Sequence, residues 1–311
     1  MRALVTGAAG FIGSRLVRAL CAAGHEVVAV DNLAATGSWA ALGPAAELAT
    51  RVCADVRSVG QLAALPFGNW DRVYHLAASF ANERSIHDPQ TDWTTNVIGT
   101  ENVLRHCRDR NAGLVVYTSS SSCYGDLLPP FSEAAAMRPG TPYARSKLVG
   151  ERRVLGSGLQ YVILRLFNVY GPGDQPGRWR NAIPNMSVTL ERTGRMLLFG
   201  AEATRDFTFI DDCIDVLLQA DRAAGQIVNV GTGRETHMCD LADRIRRLMG
   251  LPSAPIDVRA SRAWDRVQRR CAEVSRLRDR FGFVPDTPLE TGLRRTLAWL
   301  HSEGFLARAP Q

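Results

Sequence analysis

The stretch Leu4-Val-Thr-Gly-Ala-Ala-Gly-Phe-Ile-Gly13 constrains this chain more than any other. A short apolar run at 2–5 reads as a buried parallel strand. Gly7, Gly10 and Gly13 follow at intervals of three, and the apolar run from Ile12 to Leu20 reads as a helix. Strand, tight glycine turn and helix collect backbone N–H groups at a helix N-terminus, where a phosphate is stabilised. A side chain at Gly7 or Gly10 would hold a pyrophosphate away from those groups, and Gly13 lets the helix pack closely on the strand. The spacing is G-x-x-G-x-x-G rather than G-x-G-x-x-G, and alone it also suits a plain structural turn.

A second β-rich run, Glu26 to Val30, ends on Asp31. An acid at the tip of the second strand accepts hydrogen bonds from both hydroxyls of an adenosine ribose and repels a 2′-phosphate. Asn32, not an arginine, follows it. The alternative is a surface turn acid, but the position favours NAD over NADP.

The chain has 311 residues, enough to bury a large core as one big domain or a domain plus a smaller lobe. No apolar run reaches the length of a membrane span. Residues 1–10 enter the first strand directly, which argues against a signal peptide. The seven cysteines are scattered without a C-x-x-C pair, which suits a reducing cytoplasm and neither a disulfide framework nor a metal site. The net charge of +6 comes mostly from arginine, with no nucleic-acid-binding motif beside it. Arginines that grip diphosphates or acidic sugars account for the excess equally well. Neither nucleic acid nor membrane is expected as a partner.

Strands read at 2–5, 26–30, 51–54, 72–76, 113–118 and 161–166, and helices at about 12–23, 92–110 and 143–156. This alternation predicts an α/β fold with a doubly wound parallel sheet, whose ligand lies across the carboxyl ends of the strands. Those ends carry Gly7, Asp31, Asp55, Ala77, the residues from Ser119 and those from Phe167. Asp55, beside Val56, can accept the adenine amino group or cap a helix. The segment Leu76-Ala77-Ala78 has small residues at a strand end where a flat cofactor approaches; His75 before it reads as structural. Asn96 can tie a helix to a strand end, or be an exposed helix residue.

Thr118 to Ser122 is a run of five hydroxyls, which suits a polar pocket at a strand end better than a strand interior. Tyr143 and Lys147 then stand four apart on one helix face. An ammonium beside a phenol stabilises phenolate and lowers the tyrosine pKa from about 10, so the tyrosine can take a proton from a substrate hydroxyl. A serine opposite holds that hydroxyl.

With these elements in this order, the chain resembles an extended short-chain dehydrogenase/reductase of the NAD-dependent epimerase/dehydratase family, which acts on nucleotide sugars. The resemblance spans nearly the whole length: Arg165-Leu-Phe-Asn-Val-Tyr-Gly-Pro172, Arg205-Asp-Phe207, Asn229-Val-Gly-Thr-Gly233, Arg262-Ala-Trp-Asp265 and Leu289-Glu-Thr-Gly-Leu293 with Ala298-Trp299 each match a family segment. It implies a Rossmann-type domain at 1–169 plus about 206–231, and a smaller interleaved lobe at about 170–205 and 232–311 that binds the nucleotide sugar. It implies that Tyr143 is the acid/base, Lys147 its partner and Ser120 the catalytic serine. The cofactor-binding positions are Gly7, Gly10, Phe11, Ile12, Gly13, Asp31, Asn32, Asp55, Val56, Leu76, Ala77, Ala78, Asn96 and Phe167, together with Tyr143 and Lys147. On the substrate side, Ser120, Ser121 and Ser122 face the sugar, and Asn168, Asn181, Arg205 and Arg262 face the diphosphate. Asp265 meets the ribose, and Leu197 and Phe199 the base. For each arginine the plainer alternative is a solvated surface charge, and most of the arginine-dense stretch 259–280 reads as a solvated helix face.

Ser121 and Ser122 occupy the positions where the family's dehydratases carry Asp-Glu. A serine cannot remove a carbon acid's proton at neutral pH. That weighs against dehydration and decarboxylation, and favours a 4-epimerase of nucleoside-diphosphate sugars, UDP-sugars first, working with tightly held NAD. A dehydratase, a decarboxylase, a 4-ketoreductase, or a non-catalytic NAD(H) sensor or RNA-binding protein are the alternatives. Cys123, where the family has valine, reads as a small buried hydrophobe, or else as an acid/base at C5. Helices 92–110 and 143–156 are the expected homodimer interface.

Overall fold

In the computed structural model, which describes residues 1–307 and 310, seven strands form one sheet. They are β1 (Arg2–Thr6), β2 (Glu26–Asp31), β3 (Thr50–Cys53), β4 (Arg72–His75), β5 (Leu114–Ser120), β6 (Tyr161–Leu166) and β7 (Ile227–Val230), in the order β3-β2-β1-β4-β5-β6-β7. The registered pairs from β3 to β6 are parallel, with Val5 opposite Ala29 on one side and Tyr74 on the other. Ala3 to Val5, Val27 to Val30 and Leu114 to Tyr117 are buried. Strands covered on both faces read as continuous apolar runs, which is why the pattern was visible in the sequence. The strand order reverses between β1 and β4, the position where a doubly wound sheet opens a ligand crevice.

The chain divides into two compact units. The first comprises Met1–Cys123, Thr141–Leu166 and Ile214–Val228; the second comprises Tyr124–Gly140, Phe167–Cys213 and the chain from Asn229 onward. The segment 124–140 joins the second because Tyr124 and Phe131 pack with Phe167 and Ala272, and Phe131 bridges to Ala272.

In the first unit, helix α1 (Phe11–Ala22) links β1 to β2. The expected helix at 92–110 is a longer composite: an α-helical turn at Pro89–Trp93, a π-helical segment at Thr94–Gly99, then α2 (Thr100–Asp109). Such π segments concentrate at functional sites. Helix α3 (Pro142–Leu155) starts where Thr141 Oγ1 accepts the Ala144 N–H and proline takes the first helical position. Its Gly150 lies so close to β5 that a Cβ would stand 2.2 Å from the Tyr117 hydroxyl.

The second unit contains helices α4 (Ala182–Thr193), α5 (Met238–Leu248) and α6 (Leu289–Ser302). Strand Met196–Phe199 pairs in parallel with Ile256–Arg259. Buried Asp206 accepts the backbone N–H groups of Thr232, Gly233 and Ala272, which fixes the Asn229–Gly233 segment. The arginine-dense stretch 259–280 is not mainly helical: it is a strand end, a loop, and a helix only at Ser275–Phe281. Among the described residues, no helix is long and apolar enough to cross a membrane.

Candidate active site

The glycine turn closes as the spacing requires. Gly7 has φ +72°, and a Cβ there would lie 2.7 Å from the Ala77 backbone nitrogen. A Cβ at Gly13 would lie 2.0 Å from the Gly7 carbonyl oxygen, so α1 packs against the turn itself. Gly10 is the N-cap residue of α1 and supplies no side-chain cap; no acid lies in the first turn. The first-turn N–H groups, those of half-buried Phe11 and Ile12 among them, therefore have no intrahelical partner.

Asp31, at the tip of β2, accepts the N–H of Ala9 at 3.0 Å and that of Leu33 at 2.7 Å, so its carboxylate is fastened to the turn. Asp55 does not cap a helix: Ser58 caps the helix that follows, accepting the Gln61 N–H. Hydrogen bonds from Arg57 and Asn32 occupy the Asp55 carboxylate, and those from Arg57 hold it down at about 2. Val56 is buried and packs in the core, so its side chain is not presented to a ligand. The N–H of Leu76 goes to Thr6 O and that of Ala77 to Thr6 Oγ1, which seats Leu76, Ala77 and Ala78 beside the turn. His75 is structural: it is buried between Thr6 Oγ1 at 2.8 Å and Thr100 Oγ1 at 2.9 Å, and burial pushes it down to about 3.

Two positions read as cofactor contacts have other occupations. Asn96, in the π segment, is buried; it accepts the Ser79 N–H and spends both amide hydrogens on Ser79 O and Ser146 Oγ, each at 2.9 Å. Its side chain ties Ser79 to Ser146 on α3. Phe167 belongs to the second unit, where its ring is buried against Tyr124 and Phe131.

The catalytic candidates all fall in the first unit. Ser120 ends β5, and its Oγ accepts the Ser122 N–H at 3.1 Å. Ser121 and Ser122 are buried in the turn that follows, where Ser122 Oγ accepts from Asn82. Half-buried Tyr143 and buried Lys147 lie one turn apart on α3. Two ties join β5 and its turn to that helix: Ser119 Oγ donates to Glu151, and the Cys123 thiol to Ala144 O at 3.5 Å. Lys147 Nζ stands 4.5 Å from the centre of the Tyr117 ring. Burial lowers Lys147 to about 8, near working pH. It is the only lysine in the chain, and deprotonation near neutrality is something arginine cannot supply. Cys123 is fully buried and burial pushes its thiol up to about 12, the behaviour of a small hydrophobe.

Ser79, Asp92, Ser146 and Glu151 are polar groups of this site that the sequence reading passed over. Only Glu151 carried a visible signal, lying four residues beyond Lys147 and eight beyond Tyr143.

The second unit holds the remaining candidates. Asn181 is the N-cap residue of α4, yet its amide donates to Asp174 at 3.0 Å instead of capping. Burial lifts Asp174 to about 7. Asn168 has φ +31° and donates to Asp206 O at 2.9 Å. Arg205 and Asp265 pair with each other at 2.9 Å. Leu197 and Phe199 emerge on one face of their strand, and the Arg262 guanidinium lies 4.2 Å from the centre of the Phe199 ring.

The model of the NAD dependent epimerase/dehydratase family matches residues 3–231. The chain belongs to the NAD-dependent epimerase/dehydratase family. Among members of this family, it is 34% identical to a UDP-glucose 4-epimerase of Mycolicibacterium smegmatis, covering 97% of this chain and 99% of that protein. A crystal structure of the UDP-glucose 4-epimerase of Thermotoga maritima with UDP-glucose superposes with a TM-score of 0.90 at 26% identity, covering 97% of this chain and 99% of the other. The UDP-glucuronic acid 4-epimerase of Bacillus cereus, in complex with UDP-glucuronic acid and NAD, gives 0.88 at 28% identity, with 97% and 100% covered. A decarboxylase and a dehydratase are related at 29% and 28% identity. The chain is thus an enzyme of a family that takes NAD, and the glycine turn, the open start of α1 and the anchored Asp31 fit that cofactor.

Proposed function

We propose that the protein is a 4-epimerase of nucleoside-diphosphate sugars, with UDP-hexoses or UDP-uronates as substrates. NAD bound on the glycine turn supplies reversible hydride uptake at the sugar's C4. Tyr143, assisted by Lys147, removes the O4 proton and later restores it, while Ser120 holds that oxygen. Gly7, Gly10 and Gly13 with the start of α1 receive the pyrophosphate, and Asp31 the adenosine ribose.

The observation that carries this reading is the Ser120–Cys123 turn. Its side chains are hydroxyls and a buried, neutral thiol, and Glu151, which accepts from Ser119 just before it, is engaged by Arg165. No acid of that turn is placed to work at C5 or C6, and an epimerase needs none. In the second unit, Asn181 at the uncapped start of α4 and Arg262 suit a diphosphate, and the open face of Leu197 and Phe199 suits a base. The chain also reads as a cytoplasmic homodimer: its seven cysteines are free, and Trp93, Ile98 and Leu155 leave apolar side chains exposed on the helices expected to pair.

The reading is tested by incubating the protein with UDP-, dTDP- and GDP-hexoses and UDP-uronates, with NAD added, and following the products by NMR. Interconversion at C4 is expected; products formed only by loss of water or carbon dioxide would rule it out. Asp31→Ala is expected to narrow the preference for NAD over NADP by roughly tenfold or more, measured as the ratio of the two dissociation constants. An unchanged ratio would remove Asp31 from the ribose site.

A further inference from the structure

Ala81 has a backbone that suits glycine: its φ is +83° and its ψ 117°. A residue with a side chain rarely adopts that conformation, which persists only where the surroundings enforce it. The strain stands directly before the short helix Asn82–His87, where the Ser85 hydroxyl donates to Asn82 O at 2.6 Å. What this bend holds in place is the Asn82 amide, and both of its ends are engaged. Oδ1 accepts the Thr141 hydroxyl at 2.6 Å, and Nδ2 donates to Ser122 Oγ at 3.3 Å. Thr141 and Ser122 are both buried.

Each of these partners leads to a group of the reaction. Thr141 Oγ1 also accepts the Ala144 N–H, which caps α3 two residues before Tyr143. A threonine hydroxyl has one proton; given to Asn82, it leaves the oxygen facing the helix as an acceptor, the polarity a cap requires. In the other direction, Ser122 donates its backbone N–H to Ser120 Oγ at 3.1 Å. An oxygen that accepts this bond keeps its own proton to give, and the sugar's O4 is what Ser120 is to hold. The ties from Ser119 to Glu151 and from Cys123 to Ala144 O also join this turn region to α3, but neither involves the Ser120 hydroxyl. The path Thr141–Asn82–Ser122–Ser120 ends on it.

We propose that Asn82 is a positioning residue for the reaction at C4: its amide clamps the cap of the Tyr143 helix to the serine turn, and thereby fixes the Ser120 hydroxyl relative to the Tyr143 phenol. The proposal rests on the roles given above to Ser120 and Tyr143, but not on which product forms. Oxidation at C4 comes first in each reaction open to such a site. The ketone takes hydride back in epimerisation, acidifies C5–H for dehydration, and makes a uronate a β-keto acid that loses carbon dioxide.

The measurement is the rate at which the NAD-loaded enzyme consumes whichever nucleotide sugar of the panel above the wild type accepts. In Asn82→Ala, kcat is expected to fall roughly tenfold, since a misplaced group costs rate. KM is expected to stay within about twofold, because the clamp acts on the reacting groups and not on the nucleotide. Asn82→Asp keeps the acceptor for Thr141 and, ionised, has no proton for Ser122; it is expected to bring Tm back towards wild type and to leave kcat low. Ser122→Ala combined with Asn82→Ala is expected to be no slower than Ser122→Ala alone, as two residues acting in one chain share one loss. A merely structural amide would lower Tm in Asn82→Ala and keep kcat of the folded enzyme within about twofold of wild type, and that result overturns the proposal. So do losses that multiply in the double variant, or a kcat recovered in Asn82→Asp. The tenfold loss in an enzyme whose product has shed water or carbon dioxide supports the clamp and counts against the epimerase reading.

Discussion

Replacing Tyr143 by phenylalanine is expected to lower kcat by about a thousandfold while leaving the melting temperature and NAD content unchanged. The hydroxyl is the only group removed, and the ring is half-buried at the first turn of α3, so packing is kept. The helix turn is held independently, by the Thr141 cap and by Ser146 bonding the Tyr143 carbonyl. A loss confined to kcat means that the phenol acts in the transition state, not in binding. Retention of activity to within tenfold would take the acid/base role away from Tyr143.

The second large effect is on stability. Glu151 and Arg165 form a buried ion pair that joins α3 to β6, with Ser119 at the end of β5 donating to the same carboxylate. Glu151→Gln leaves the buried guanidinium facing a neutral amide, and is expected to cost about 3–5 kcal/mol. That corresponds to a fall of roughly 6–15 °C in Tm. Replacing both partners by methionine is expected to recover most of that loss, because the penalty lies in the unpaired charge and not in the space. Equal instability of the single and double variants would mean that packing sets the cost. Recovered stability without recovered activity would show that the pair also orients the serine-rich strand end towards α3.

What could be read from the sequence was what one local segment decides by itself. Gly7 is required by a positive φ and by the nearness of Ala77, and Asp31 sits at a strand tip that receives the N–H groups of the same turn. Tyr143 and Lys147 are bound by helix geometry alone. The π segment escaped because residues 94–99 keep an ordinary helical composition; what sets them apart is Asn96 reaching back to Ser79. The partners of charged groups escaped for the same reason. Arg165 finds Glu151 only after a crossover, and Arg205 finds Asp265 from sixty residues away. Phe167 reads as a cofactor contact because it follows a strand end, but its ring completes an aromatic cluster with residues from 124–140. By composition the arginines of 259–280 read mostly as one solvated helix face, yet Arg262 lies over Phe199, Arg269 pairs with Glu235 and Arg270 is buried.

In a 4-epimerase, the hydrogen removed from C4 returns to C4. It is tested most directly with a UDP-hexose carrying deuterium at C4, converted without added cofactor and followed by NMR. The expected product is the C4 epimer with deuterium still at C4 and no loss of water. Deuterium at C6 of a dehydrated product, or a C4 epimer that has lost its deuterium, would contradict it.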